Sequence, residues 1–343
     1  MFKSLMKRNF PSYVIFFVTA RCNAKCSFCF NWKNIERWKE KKELSLIEIE
    51  KIAKNFGNLP YLTLSGGEPF LRKDIVEICR IFKEKANTKF ITIPTNGIDS
   101  NKIKKDVEEI LKLNVHLNIR ISLDDLNGRH DKMRNVKGCF EKALKTYKLL
   151  KELKKGYKNF NLDVMTVFSK MNEDRIKEIF EYFKKMDLDH HYLGLIRVDS
   201  KQKELANVSI EKYEEMLKWI KKNYSSKENR PFKSIFLALD ELNEDLTIKT
   251  FKEGYNLRCY AGKKLIVINE EGEIYPCELL SKSFGNLRDY DYDIKQLLKN
   301  GKAKGIIRFI KKSKCHCTWG CSNFINIMYN VKMYPKLLWK SIR

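Results

Sequence analysis

Apolar blocks and amphipathic stretches alternate along the first two thirds of the chain. Tyr13 to Ala20 is an eight-residue block rich in Val, Ile and Phe, the length and composition of a buried strand. Ser45 followed by Glu48 is a capping box, and Leu46, Ile49, Ile52, Ala53 and Phe56 then recur on one helical face. The short apolar run Tyr61 to Ser65 predicts a strand, closed by Gly66-Gly67-Glu68-Pro69, with a helix from about Lys73 to Lys85.

The same unit recurs. Strands are predicted at Phe90 to Ile93, Val115 to Leu123, Leu162 to Phe168 and His191 to Val198. Helices follow near Asn101 to Leu113, Cys139 to Lys155, Glu173 to Lys185 and Glu211 to Asn223. Six strand–helix units in about 215 residues read as an α/β fold, a partial (β/α)6 TIM-like barrel. Polar residues gather at the C-terminal ends of the strands, the rim on which such folds build sites.

Beyond a polar stretch at Ser225 to Pro231 the alternation stops. A helix is predicted over Phe232 to Phe251, a hairpin over Leu265 to Cys277 with its turn at Asn269 to Gly272, and a Lys-rich helix before Cys315. The expected organisation is a barrel over 10–225, a linker with a helical segment over 226–258, a small cysteine-rich β-hairpin/helix domain over 259–325, and a basic amphipathic tail over 326–343. Pro335 argues against one continuous helix in the tail.

A hydrophobic fraction of 43% with 12% aromatics excludes a disordered chain. The net charge of +25 favours an anionic partner: nucleic acid, a membrane surface or a phosphorylated substrate. Lysines interleaved with glutamates along helix faces are equally consistent with solvated surface. Neither a bilayer-spanning run nor a cleavable signal is present, so a cytoplasmic protein is expected, with the apolar tail leaving contact with the inner face of a membrane open. In that compartment the ten cysteines imply metal or redox chemistry rather than disulfides. Cys79 and Cys139 sit in helical patterns and are expected as buried apolar groups.

Cys22, Cys26 and Cys29 lie on one loop directly after the first apolar block. Three thiolates so close can grip an iron–sulfur cluster while leaving one iron open to a further ligand. A three-cysteine zinc loop is the alternative, but it lacks a fourth ligand nearby.

Cys22-x3-Cys26-x2-Cys29, with Phe28 before the last cysteine, resembles the signature of the radical S-adenosylmethionine (SAM) enzymes. Gly66-Gly67-Glu68-Pro69 resembles that family's GGEP motif, Thr95-Asn96-Gly97 its third strand end, and Ser122-Leu123-Asp124 its SLD motif. Arg134 follows in a family-like His130-Asp131-x2-Arg134. The resemblance implies that Cys22, Cys26 and Cys29 bind a [4Fe-4S] cluster whose fourth iron takes the amino and carboxylate groups of SAM. It also implies reductive cleavage of SAM to a 5′-deoxyadenosyl radical that abstracts hydrogen from a substrate. Glu68 would meet the methionyl ammonium, Ser122 and Asp124 the ribose and methionyl groups, and Arg134 the carboxylate; Phe28, Gly66, Gly67, Thr95 and Asn96 would complete the cofactor site. The family's glycines after SLD and after the arginine are Asp125 and Asn135 here.

Cys259, Gly262, the hairpin, Gly272 and Cys277 resemble the opening of the family's C-terminal SPASM or twitch extension. Cys315-x-Cys317-x3-Cys321 departs from its ending, so one auxiliary [4Fe-4S] cluster is expected, held by Cys259, Cys277, Cys321 and one of Cys315 or Cys317. Zinc is the alternative occupant. The partners so implied are an external electron donor such as flavodoxin or ferredoxin and a substrate, phosphorylated or membrane-associated on the strength of the charge and tail. A peptide-modifying or cofactor-maturing enzyme is the runner-up. A non-catalytic zinc and nucleic-acid-binding protein would explain the charge but not the ordered strand-end residues, and no specific nucleic acid is expected.

Overall fold

The computed structural model describes residues 10–227, 231–255 and 257–342. Six parallel strands carry the first part of the chain: β1 (Tyr13–Thr19), β2 (Tyr61–Gly66), β3 (Phe90–Thr95), β4 (His116–Ser122), β5 (Phe160–Phe168) and β6 (His190–Leu195). They lie side by side in chain order, as right-handed crossovers through intervening helices require. The sheet does not close. At the β1 edge it continues into β7 (Leu265–Ile268), parallel to β1 with Tyr13 opposite Leu265 and Phe16 opposite Ile268. The antiparallel strands β8 (Glu273–Tyr275) and β9 (Gly285–Asn286) complete nine strands.

The first strand of the predicted hairpin thus extends the barrel sheet. β1 shows why. Val14, Phe16 and Val18 face the large core under the barrel helices. Ile15 and Phe17 face a second core, built with Leu239, Leu242, Leu265, Val267, Trp319 and Ile325. A strand covered on both faces reads as a continuous apolar run, which is the character of Tyr13 to Ala20.

Helices cover the convex face. α1 (Trp32–Glu36) is a short turn after the cysteine loop, and α2 (Leu46–Phe56) opens on the capping box, with Glu48 Oε2 accepting from the Ser45 backbone N–H at 2.8 Å. Glu48 Oε1 also accepts from Arg288 Nε at 2.7 Å and the Tyr292 hydroxyl at 2.8 Å, tying the barrel to the C-terminal unit. The remaining barrel helices are α3 (Ile75–Lys85), α4 (Ser100–Leu111), α5 (Asn127–Arg134), α6 (Cys139–Lys154), α7 (Ile176–Lys184) and α8 (Ile210–Asn223). Cys79 and Cys139 are fully buried among them.

The predicted linker lies partly outside the described residues, at 228–230. After it α9 (Lys233–Glu253) crosses the open side of the barrel, and α10 (Ile294–Lys299), α11 (Gly301–Lys312), α12 (Gly320–Met328) and α13 (Tyr334–Ile342) follow. The tail is interrupted as Pro335 predicts, by a 3-10 turn at Val331–Met333. It docks on α9: Leu337 is buried, and Lys340 pairs with Glu241 and, at 3.3 Å, with Asp245. Among the described residues no helix is long and apolar enough to cross a membrane.

Candidate active site

Along β4 the burial alternates. Leu117, Ile119 and Ile121 are buried, while His116, Asn118, Arg120 and Ser122 are half-buried and line a cavity of about 1010 Å³ on the concave face of the sheet. Cys22, Cys26 and Cys29 line the same cavity at its strand-end rim. Their loop is strapped on two sides. Lys25 and Ser27 donate from their backbone N–H groups to the carbonyls of Arg134 and Met133, each at 3.1 Å. Lys201 and Gln202, beyond β6, donate to the carbonyls of Cys29 and Ser27, each at 3.0 Å.

Burial pushes the Cys22 thiol up to about 12 and the Cys29 thiol to about 11, and raises Cys26 as well. Neighbouring thiols add to the rise at Cys22 and Cys29, whereas Arg134 opposes it at Cys26. Binding a cluster here must therefore displace protons from all three. Among the described residues no three Cys, His or carboxylate groups stand at the spacing of a single ion. The three soft donors face one another across open cavity, which fits an iron–sulfur cluster.

The paired glycines stand against the backbone that leads into the cysteine loop. A Cβ on Gly67 would stand 2.0 Å from the Arg21 carbonyl oxygen, and one on Gly66, at φ +120°, 2.3 Å from that of Thr19. Gly67 N–H donates to Thr19 O and Glu68 N–H to Arg21 O, both at 2.8 Å. The close approach is thus to the backbone that launches the cysteine loop. Glu68 is buried, with Oε1 accepting from Thr95 Oγ1 at 2.8 Å and the Phe70 N–H at 3.2 Å, and Oε2 from the Asn96 N–H at 2.8 Å. Burial raises its pKa, against these donors. Asn96 Nδ2 donates to Asn23 Oδ1 at 2.7 Å, joining the end of β3 to the loop between Cys22 and Cys26. Glu68, Thr95, Asn96, Gly66 and Gly67 all border the cavity.

Ser122 and Arg134 border it too; Asp124 does not. Asp124, expected to reach the ribose and methionyl groups, is buried: Oδ2 accepts from Arg134 Nε at 2.8 Å, and Oδ1 from the Val167 N–H at 3.0 Å. Its own N–H donates to His130 Nδ1 at 3.1 Å. The Arg134 guanidinium lies 5.4 Å from the Phe28 ring centre, and its charge acts on Cys26. Phe28 packs with Met133 and Ile196, fixing the loop's aromatic between α5 and the end of β6. Both departures from the family glycines have local reasons. Asn135 takes the left-handed conformation (φ 53°, ψ 44°), which asparagine tolerates better than other side chains, and Asp125 is buried in an ion pair with Arg175 at 3.1 Å.

The five C-terminal thiols border the same cavity, yet they separate into two environments. Cys315 faces Cys259, Cys277 and Cys317, and Cys317 faces Cys259 and Cys277. Cys321 is met instead by Glu278, Tyr13, Arg120 and Arg197, with the Tyr13 hydroxyl 3.8 Å from its Sγ. Cys259, Cys277, Cys315 and Cys317 thus act on one another, while Cys321 packs against the same apolar cluster as Cys259, Cys277 and Cys317. A hydrogen bond from Cys315 and the nearby Ser322 favour the Cys259 thiolate and lower its pKa. His316 borders the cavity, its Nδ1 2.9 Å from the Lys314 carbonyl.

Sequence reasoning missed Asn118, Arg120 and Arg197, cavity residues outside every motif. For Asn118 and Arg120 the signal was present: polar residues in register on the inward-facing positions of β4. Among the described residues no lysine borders the cavity, and the three arginines there each face a carboxylate: Arg134 with Asp124, Arg197 with Glu278, and Arg120 with Asp163 at 3.6 Å. The excess positive charge lies elsewhere.

Residues 16–183 match the Radical SAM superfamily. The AdoMet-dependent heme synthase of Methanosarcina barkeri is 24% identical over 326 residues, 90% of this chain and 88% of its own length. The subtilosin biosynthesis protein AlbA of Bacillus subtilis is 28% identical over 298 residues, 82% of this chain and 59% of AlbA. The chain thus spans most of the first relative and little over half of the second. Among solved structures, SuiB of Streptococcus suis bound to the precursor peptide SuiA superposes with a TM-score of 0.62 at 19% identity, covering 89% of this chain and 68% of SuiB. Native anSMEcpe with bound AdoMet gives 0.61 at 19% identity and 97% coverage of both chains. These two likenesses show a shared fold. Residues 16–183, with the cysteine loop they contain, are a Radical SAM superfamily domain, and the chain is an enzyme that works with a [4Fe-4S] cluster and S-adenosylmethionine.

Proposed function

We propose that Cys22, Cys26 and Cys29 hold the cluster that binds SAM, that Cys259, Cys277, Cys315 and Cys317 hold an auxiliary cluster, and that the substrate lies in the cavity both sets border. The observation that carries this reading is the single cavity with thiols of both sets on its wall. With cluster and SAM bound, the chemistry supplied is reductive cleavage of SAM and hydrogen abstraction from the substrate.

The chain's own residues have separable tasks. Arg134, held by Asp124, presents a cation to the SAM carboxylate. Glu68, held by Thr95 and Asn96, presents a carboxylate to the methionyl ammonium. Ser122, at the cavity-facing end of β4, offers its hydroxyl to the ribose. Phe28 and the straps on the loop exclude water from the cluster side.

The substrate wall is mainly apolar and aromatic, with Tyr13, Tyr61, Phe90, Phe236, Leu279 and Phe324. Among the described residues it has no lysine, which favours a substrate body with apolar or aromatic surface over a phosphorylated one. Relatives named for heme and for bacteriocin biosynthesis fit a tetrapyrrole-like or peptide body.

The test is anaerobic purification with iron, sulfide and zinc analysis, followed by SAM and a strong reductant. About eight irons, two four-iron clusters' worth, and formation of 5′-deoxyadenosine are expected. Colourless protein with stoichiometric zinc would sink the proposal.

A further inference from the structure

Arg197 occupies the ground between the two cysteine sets. Its guanidinium lies 3.8 Å from the ring centre of Phe30, the residue after Cys29, and 6.0 Å from that of Trp319, between Cys317 and Cys321. Nη1 donates to Glu278 Oε2 at 2.5 Å, and Nη2 to the Glu278 carbonyl at 3.3 Å. Glu278 directly follows Cys277. Nε and Nη2 donate to the two oxygens of Asp199 at 3.0 and 2.8 Å. The Arg197 and Glu278 side chains are only 13% and 8% exposed.

Burying such a pair costs desolvation, and a packed apolar pair could fill the same volume at no loss of stability. Position is what distinguishes this one. The guanidinium acts on Cys29 in the first set and on Cys321 beside the second, while the carboxylate acts on Cys277 and Cys321. A cluster gains negative charge on reduction, so its potential follows the fixed charges and hydrogen bonds around its sulfurs. In a buried site those charges are weakly screened.

We infer that the Arg197–Glu278 pair is a positioning element that tunes the reduction potentials of both clusters from one place. The guanidinium favours the reduced state at each, and the carboxylate opposes it mainly at the auxiliary one. The inference rests on the reading of the two cysteine sets as cluster sites.

The test uses the full chain, anaerobically reconstituted, with Arg197→Met, Arg197→Lys and Glu278→Gln. Iron and sulfide are counted first, and potentials are then followed by electron paramagnetic resonance in a redox titration. Arg197→Met is expected to lower both midpoints and Glu278→Gln to raise the auxiliary one, with Arg197→Lys near the parent. Opposite shifts separate a charge effect from a merely structural one. Should Arg197→Met fail to load iron, Arg197→Lys and Glu278→Gln still decide the matter. Unchanged midpoints in fully loaded variants, or shifts of the same sign for Arg197→Met and Glu278→Gln, would overturn the inference. A parent protein without iron would instead remove the cluster reading on which it rests.

Discussion

Asp124 grips Arg134 from the buried side: its Oδ2 accepts from Nε at 2.8 Å and stands 2.6 Å from Nη2. The carboxylate is fully buried and the arginine nearly so, which leaves the guanidinium its cavity-facing edge. Removing the carboxylate strands a buried cation, a loss of about 3–5 kcal/mol. Asp124→Ala is therefore expected to lower the urea midpoint sharply. Arg134→Gln strands the carboxylate in turn but, where the protein folds, keeps the three thiols. It should retain iron while weakening SAM binding by roughly tenfold to a hundredfold, the usual scale for a lost orienting or charged contact. Calorimetric titration with SAM checks the second, and unchanged affinity would remove Arg134 from the proposed site.

Gly67 and Gly128 make opposite predictions from the same substitution. Alanine at Gly67 would drive its Cβ to 2.0 Å from the Arg21 carbonyl oxygen, a backbone atom that cannot swing aside. The strand end must shift and the cysteine loop with it, so Gly67→Ala should lose most iron loading even where the protein stays soluble. Alanine at Gly128 meets nothing within 4 Å and sits in α5, where it should be neutral or stabilising by up to about 1 kcal/mol. Iron content and thermal melting of the two variants, side by side, provide the check.

The two cysteine environments predict which thiols are needed for the auxiliary cluster. Cys315→Ala and Cys277→Ala should each lower the iron content from about eight toward about four, one four-iron cluster. Cys321→Ala should keep both clusters, since that thiol faces Tyr13, Arg120, Arg197 and Glu278. Iron loss in Cys321→Ala equal to that in Cys277→Ala would restore Cys321 to the ligand set.

Strand and helix periodicity exposed most of the barrel because each β/α unit obeys a local rule. The six-residue runs at Tyr61 and Phe90 and the capping box at Ser45 need no distant partner to be read. Motif order along the strand ends was equally legible, since Cys22, Gly66, Thr95 and Ser122 all fall on one rim. What sequence could not carry was side-chain direction over long separations. Asp124 reads as a site residue until Arg134, ten residues on, claims it. β7 reads as half of an isolated hairpin because its pairing with β1 spans some 250 residues of chain, as Ser12 N–H to Lys264 O does with a separation of 252. The split between Cys321 and its neighbours depends on the fold of α12, whose short spacing from Cys317 suggests one set.

Stability should fall on mild acidification, and two histidines say where. His130 is fully buried and its Nδ1 accepts from the Asp124 N–H, so the ring is held neutral; burial, with Arg134 adding to it, lowers its pKa to about 4. His191 stacks on Phe180 at 3.6 Å with Nε2 2.8 Å from Thr166 Oγ1, and burial lowers its pKa well below the usual value. In the unfolded chain both rings titrate near 6.5. Below that pH the unfolded state takes up protons that the native state refuses, so stability present at neutral pH is lost as pH falls from about 6.5 toward 4. The loss attributable to His130 is on the order of 3 kcal/mol by pH 4. His130→Asn offers the Asp124 N–H an acceptor that does not titrate. Urea unfolding at a series of pH values should show a shallower acid slope for this variant than for the parent; identical slopes would mean that His130 does not carry the effect.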